Sequence, residues 1–173
     1  PARCGGGLNY CGGSRPLSAQ GFVQDWLVLG PFATPVAGGV YLHPADLLGG
    51  EAAADPLAGA MTAGMTWTEW RSGAGATGAF TACGGEGLDL TRLFGTAATP
   101  RPDNFTGYVF ASVYAPSERM AELALGCDDG CRAWVNGAVV AGRTGPGGCV
   151  VDEVRGTVRL RAGLNRLLVK VTN

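Results

Sequence analysis

Apolar and polar positions along this chain alternate in short runs. Residues 22–29 (Phe-Val-Gln-Asp-Trp-Leu-Val-Leu) read as a first strand, stopped by Gly30-Pro31, because proline lacks the donor a ladder needs. Residues 65–70 alternate next; Trp67 and Trp70 lie three apart and so face opposite sides of a regular strand. Residues 108–114, 120–125, 156–160 and 164–171 follow, the last with Leu167, Val169 and Val171 on the core face, and Val150-Val151 is a further short run. Helical spacing is scarce. One turn at 45–48, one at 57–61 and a packed or helical segment at 88–94 are the candidates. Residues 32–64 carry Pro35, Pro44 and Pro56 and predict a long irregular segment that wraps the sheet or serves function. Many short strands between glycine and proline turns, without alternating helices, predict an all-β fold: an antiparallel β-sandwich.

The most distinctive stretch is 126–137, Gly-Cys-Asp-Asp-Gly-Cys-Arg-Ala-Trp-Val-Asn-Gly. It reads as an acidic hairpin followed by a second turn. Asp129-Gly130 and Asn136-Gly137 both tolerate the positive φ of tight hairpins. Cys131, Ala133 and Val135 fall on one face, and Arg132, Trp134 and Asn136 on the other.

Composition narrows the classes. At 173 residues the chain is most simply one domain with a real core, 21–173, preceded by a tail, 1–20, rich in glycine and bearing Cys4 and Cys11. The start at Pro1, without Met or a signal-like run, is the start expected of a processed or excised chain. The net charge is −1 and Lys170 is the one lysine, which argues against nucleic acid and anionic membrane surfaces as partners. No apolar run approaches the ~18–20 residues of a membrane span, so no membrane insertion is expected. Six cysteines (Cys4, Cys11, Cys83, Cys127, Cys131 and Cys149) show no metal-binding spacing, and predict disulfides in an oxidising, extracellular compartment. Cys127 and Cys131 bridge the hairpin, or Cys131 pairs with Cys149 or Cys83 and Cys127 is buried.

The set formed by 26–32 (WLVLGPF), Trp67, 108–110 (YVF), 127–130 (CDDG), 134–137 (WVNG) and 162–171 (AGLNRLLVKV) resembles the galactose-binding-like jelly-roll domains of many secreted bacterial hydrolases and surface proteins. The likeness covers residues 22–173. It implies a two-sheet jelly roll, usually non-catalytic, that binds carbohydrate or acts as a structural spacer. Asp128-Asp129-Gly130 also looks like the paired-aspartate loop of flocculin-type lectin domains, which implies Asp128 and Asp129 as candidate calcium ligands. Calcium takes six to eight oxygens, so Asn136, Asp152 or Glu153 would have to add to the set. Cys127 and Cys131 beside the turn depart from that pattern.

For a glycan, the candidate ligand-binding residues are Trp70, Trp134, Asn136 and Arg132, with Trp70 and Trp134 the tryptophans expected at the surface. No catalytic residue is expected: His43 is the only histidine and no nucleophile motif accompanies it. These observations lead to a non-catalytic extracellular structural or adhesive subunit of a surface or filamentous assembly. Its copies associate through exchange of the tail or a strand. The alternative is a carbohydrate-binding module, calcium-dependent if the aspartates hold the ion.

Overall fold

A computed structural model describes residues 17–18, 21–35, 41–73, 79–80 and 87–173. The strands are β1 (Asp25–Ala33), β2 (Met61–Thr62), β3 (Met65–Thr66), β4 (Thr68–Arg71), β5 (Ala79–Phe80), β6 (Gly87–Leu88), β7 (Phe105–Ala115), β8 (Arg119–Leu125), β9 (Gly130–Val135), β10 (Ala138–Arg143), β11 (Val154–Leu160) and β12 (Gly163–Thr172). A single helical turn, α1 (Leu90–Leu93), precedes β7, and a 3-10 turn spans Glu51–Ala53. Asp89 caps α1 by accepting from the Arg92 N–H at 3.1 Å.

Six strands form the main antiparallel sheet in the order β10-β9-β12-β7-β1-β4. The second layer is the antiparallel pair β11-β8, so the fold is an all-β sandwich. Trp67 and Trp70 do face opposite sides: each is buried in a different core. The core between the layers is built from Val28, Val109, Ala133, Val135, Leu167 and Val169, opposed by Val158 of β11. The other face of the main sheet buries Leu27, Leu29, Tyr108, Phe110, Trp134 and Leu168 beneath the irregular segment that includes Leu47 and Leu48. That segment wraps the sheet, as its length and prolines led us to expect.

Four local expectations need correction. The first strand does not end at Gly30-Pro31. It continues to Ala33, because those residues sit where the β1–β7 register shifts between Leu29 and Phe32, and a bulge asks no ladder donor of proline. The helical turns expected at 45–48 and 57–61 give way to the 3-10 turn at Glu51–Ala53. Asp46 nucleates this turn by accepting from the N–H groups of Leu48 (3.0 Å) and Glu51 (2.9 Å). Val150-Val151 belongs to a turn, not a strand. Lastly, residues 126–129 are not a hairpin tip. They cross from β8 in one layer to β9 in the other, and the two strands do not pair. Gly130 is demanded there by close packing, since a Cβ would stand 1.9 Å from the Tyr41 carbonyl oxygen. The second turn is as read: Asn136 and Gly137 have φ of 52° and 87° and link β9 to β10.

Candidate functional site: an apolar groove and the acidic crossover

The two layers meet closely at β10 and β11. The backbones nearly touch there; a Cβ on Gly156 would lie 2.0 Å from the Val140 carbonyl oxygen. At β8 the second layer stops. β8 pairs with β11 along one edge and with no described strand along the other. Beside that edge lies a cavity of about 800 Å³. Its floor comes from β1, β7 and β12 through Trp26, Val109, Val113, Leu167 and Val169, and β8 contributes consecutive residues including Leu123. The far wall is formed by Leu17, Phe22, Val23 and Leu90. Leu17 is exposed and lines the groove.

The acidic crossover closes the opposite end, where Cys127, Asp128, Cys149 and Asn173 line the groove. Arg143 of β10 latches it. Its guanidinium donates to the Asp129 carbonyl from Nε (3.1 Å) and Nη2 (2.7 Å) and also to the Cys127 carbonyl, and it pairs with Glu153. Asp129 Oδ1 accepts from the Gly147 N–H at 3.3 Å. The Asp128–Asp129 peptide is cis. Burial, then the neighbouring Asp129 carboxylate, push the Asp128 carboxyl above its ordinary range.

Among the described residues no third histidine, cysteine or acidic side chain joins the two aspartates in a cation site. Two carbonyls of the turn accept from Arg143, and calcium takes six to eight oxygens, so the two aspartates alone do not make its site. We derive no step through calcium. Asp152 and Glu153 are engaged instead with Arg155 and Arg143.

The four residues named for a glycan do not converge. Trp134 lies on β9 and Trp70 on β4, separated by β12, β7 and β1, and they face opposite sides of the sheet. Both are 5% exposed, so neither ring stands at the surface as a stacking platform. Apolar partners are available to both rings on their two covered faces, which is why they are core. The half-buried tryptophan is Trp26, on the groove floor. Arg132 lies over the Trp134 ring, 5.9 Å from its centroid. Asn136 is a strut: its Nδ2 donates to Asn165 Oδ1 at 2.8 Å and its Oδ1 accepts from the Arg166 N–H at 3.0 Å. Among the described residues Cys127, Cys131 and Cys149 form no disulfide. Cys4, Cys11 and Cys83, with residues 1–16 and 19–20 of the tail, lie outside the described residues.

A polar cluster on the opposite face was not anticipated. Lys170, 0% exposed, donates to Glu51 Oε1 (2.8 Å) and to the Ala45 carbonyl (2.6 Å). The Tyr108 hydroxyl donates to the same Glu51 oxygen at 2.5 Å, and burial and that carboxylate push its pKa far up. His43 sits nearby with its backbone N–H donating to Thr172 Oγ1 at 3.0 Å; burial, then the Lys170 charge, hold its pKa below 6.5. The one signal in the sequence was a solitary lysine within an apolar closing strand.

The class defined by this architecture is an all-β antiparallel sandwich. No family model and no curated protein matches the chain. Among solved structures it is similar to parts of β-glucuronidases. A β-glucuronidase of Faecalibacterium prausnitzii is 13% identical over 87% of this chain and 20% of its own, at a TM-score of 0.48. An FMN-binding β-glucuronidase of F. prausnitzii L2-6 is 22% identical over 40% of this chain and 11% of its own, at 0.32. The Ruminococcus gnavus β-glucuronidase is 11% identical over 48% of this chain and 14% of its own, at 0.36. The chain thus spans a fifth or less of the length of these enzymes.

Proposed function

We propose that this chain is a non-catalytic, extracellular structural or adhesive subunit of a galactose-binding-like jelly-roll type. In this reading its copies join by laying a strand of one into the groove of the next. The observation that carries the reading is the apolar groove beside the edge of β8 that no described strand pairs with. An open edge offers a row of free backbone donors and acceptors, and an apolar floor offers burial to alternate side chains of an added strand. Leu17, within the tail, lines the groove. In a neighbouring copy the same segment is the natural donor, and head-to-tail exchange of this kind is heterologous and extends into filaments. The cysteines support an oxidising compartment for such an assembly.

Negative-stain imaging and light scattering of the full chain, with and without reductant, test this. Polymers or discrete oligomers are expected, and Leu123→Asp is expected to yield monomers. A monomer under every condition, or a glycan that binds with calcium and is released by chelator, would overturn the reading in favour of a carbohydrate-binding module.

A further inference from the structure

The strands of the main sheet run between two ends of unlike chemistry. β7 and β12 pair along their length, with Gly163 beside Ala115 at one end and Thr172 beside Thr106 at the other. The ten residues of β12 set these ends about 30 Å apart. The first end carries the β7–β8 and β11–β12 connections, and the register places Leu160 beside Arg119 there. Arg119 and Arg161 are exposed, and neither forms an ion pair among the described residues. Glu118, the neighbouring acid in the chain, pairs with Arg159 at 2.6 Å. Tyr114 and its register partner Leu164 are exposed on the sheet at this same end. The far end carries the crossover and the turn before β7. Asp103 and Asp128 are exposed there, again without an ion pair among the described residues. Burial, then the Asp129 charge, raise the Asp128 carboxyl; Arg143 opposes this and Asp103 adds to it, so the acids of this end feel one another. Val150 and Val151 are exposed against the crossover, where a Cβ on Gly126 would stand 2.4 Å from the Val150 carbonyl oxygen. Each end thus joins an exposed apolar pair to charge of one sign, basic at one and acidic at the other.

We infer that the basic end of one copy docks on the acidic end of the next: Arg119 and Arg161 meet Asp103 and Asp128, and Tyr114 and Leu164 meet Val150 and Val151. The inference rests on the reading of the chain as an assembly subunit and adds a polarity to it. The contact uses different surfaces on the two copies, so each copy keeps an end for a further one. Complementary charge brings unlike ends together and rejects the two like-charged pairings, basic on basic and acidic on acidic. The apolar pairs supply the part of the contact that salt does not screen.

Sedimentation velocity of the full chain with charge-reversed ends tests this. Arg119→Glu/Arg161→Glu makes both ends acidic, and Asp103→Lys/Asp128→Lys makes both basic. Each double variant alone is expected to associate at least roughly tenfold more weakly than the parent. An equimolar mixture of the two should recover the parent's association, because every junction in an alternating row again sets basic on acidic. Association of the parent should also weaken between about 0.1 M and about 1 M salt, as the screening length falls from about 10 Å to about 3 Å. Variants that associate as the parent does, a mixture no stronger than either variant alone, or a parent indifferent to salt would each overturn the inference. Those results, with parent oligomers still present, leave the assembly reading standing. A parent that is monomeric at every concentration and salt would overturn both.

Discussion

The two faces of the main sheet are covered in opposite ways. Beneath the segment 41–67 the sheet meets a closed lid, pinned by Lys170, Glu51 and Tyr108 and by a line of hydroxyls from Thr34 to Thr106 (2.9 Å) to Thr172 (2.8 Å). Across the other face, among the described residues, β11 and β8 provide the second layer, and the groove lies beside β8. On the closed face Lys170 and Glu51 pair with each other inside the same chain. A free strand edge beside half-buried apolar side chains is an incomplete layer, and a second chain can complete it. On the proposed reading the closed face carries stability and the open face association, and substitutions can separate them.

The largest effect is expected on the closed face. Lys170→Ala or Glu51→Ala leaves the opposite charge buried and unpaired, and should cost about 3–5 kcal/mol in urea denaturation. The double variant Lys170→Met/Glu51→Leu should recover most of that loss, because an apolar pair removes both desolvation costs. Equal losses in the double and single variants would show that the ion pair is not the pin.

On the open face, Leu123→Asp removes one apolar contact worth about 1.5–3 kcal/mol to an added strand, so association should weaken roughly 10- to 100-fold. Thermal unfolding of the monomer should change little, since Leu123 is only half-buried. The sharpest contrast would come from finding the reverse. Asn136→Ala, at the β9–β10 turn, should cost about 1–2 kcal/mol in stability through its two lost hydrogen bonds, with association unaffected.

The smallest effect concerns pH. His43 has a folded-state pKa below 6.5, so below that value the unfolded chain binds more protons than the folded one. Stability is full above pH 6.5 and falls as pH drops through it. His43→Gln should flatten that part of the stability curve. An unchanged slope would show that His43 does not report on the closed face.

Much of the sandwich was legible in the sequence, because period-two alternation survives wherever one face of a strand is buried against a neighbour. The paired faces of 131–136 and the opposed Trp67 and Trp70 were read that way. Three features were not legible. Gly130 has the sequence signature of a hairpin turn but answers to the Tyr41 carbonyl, a contact 89 positions away in the chain that no local pattern encodes. Trp70 and Trp134 are buried because the sheet is covered on both sides, and alternation alone does not tell a covered face from a solvated one. The Lys170–Glu51 pair joins the closing strand to an irregular segment without periodicity. The groove is a gap between elements, and a gap has no residues of its own.

The most direct test of the central claim is amide hydrogen exchange of β8 as a function of protein concentration. If the open edge takes a strand from a second copy, the β8 amides should exchange slowly at high concentration and faster on dilution, while β12 stays protected throughout. Exchange of β8 that is the same at every concentration would contradict the account.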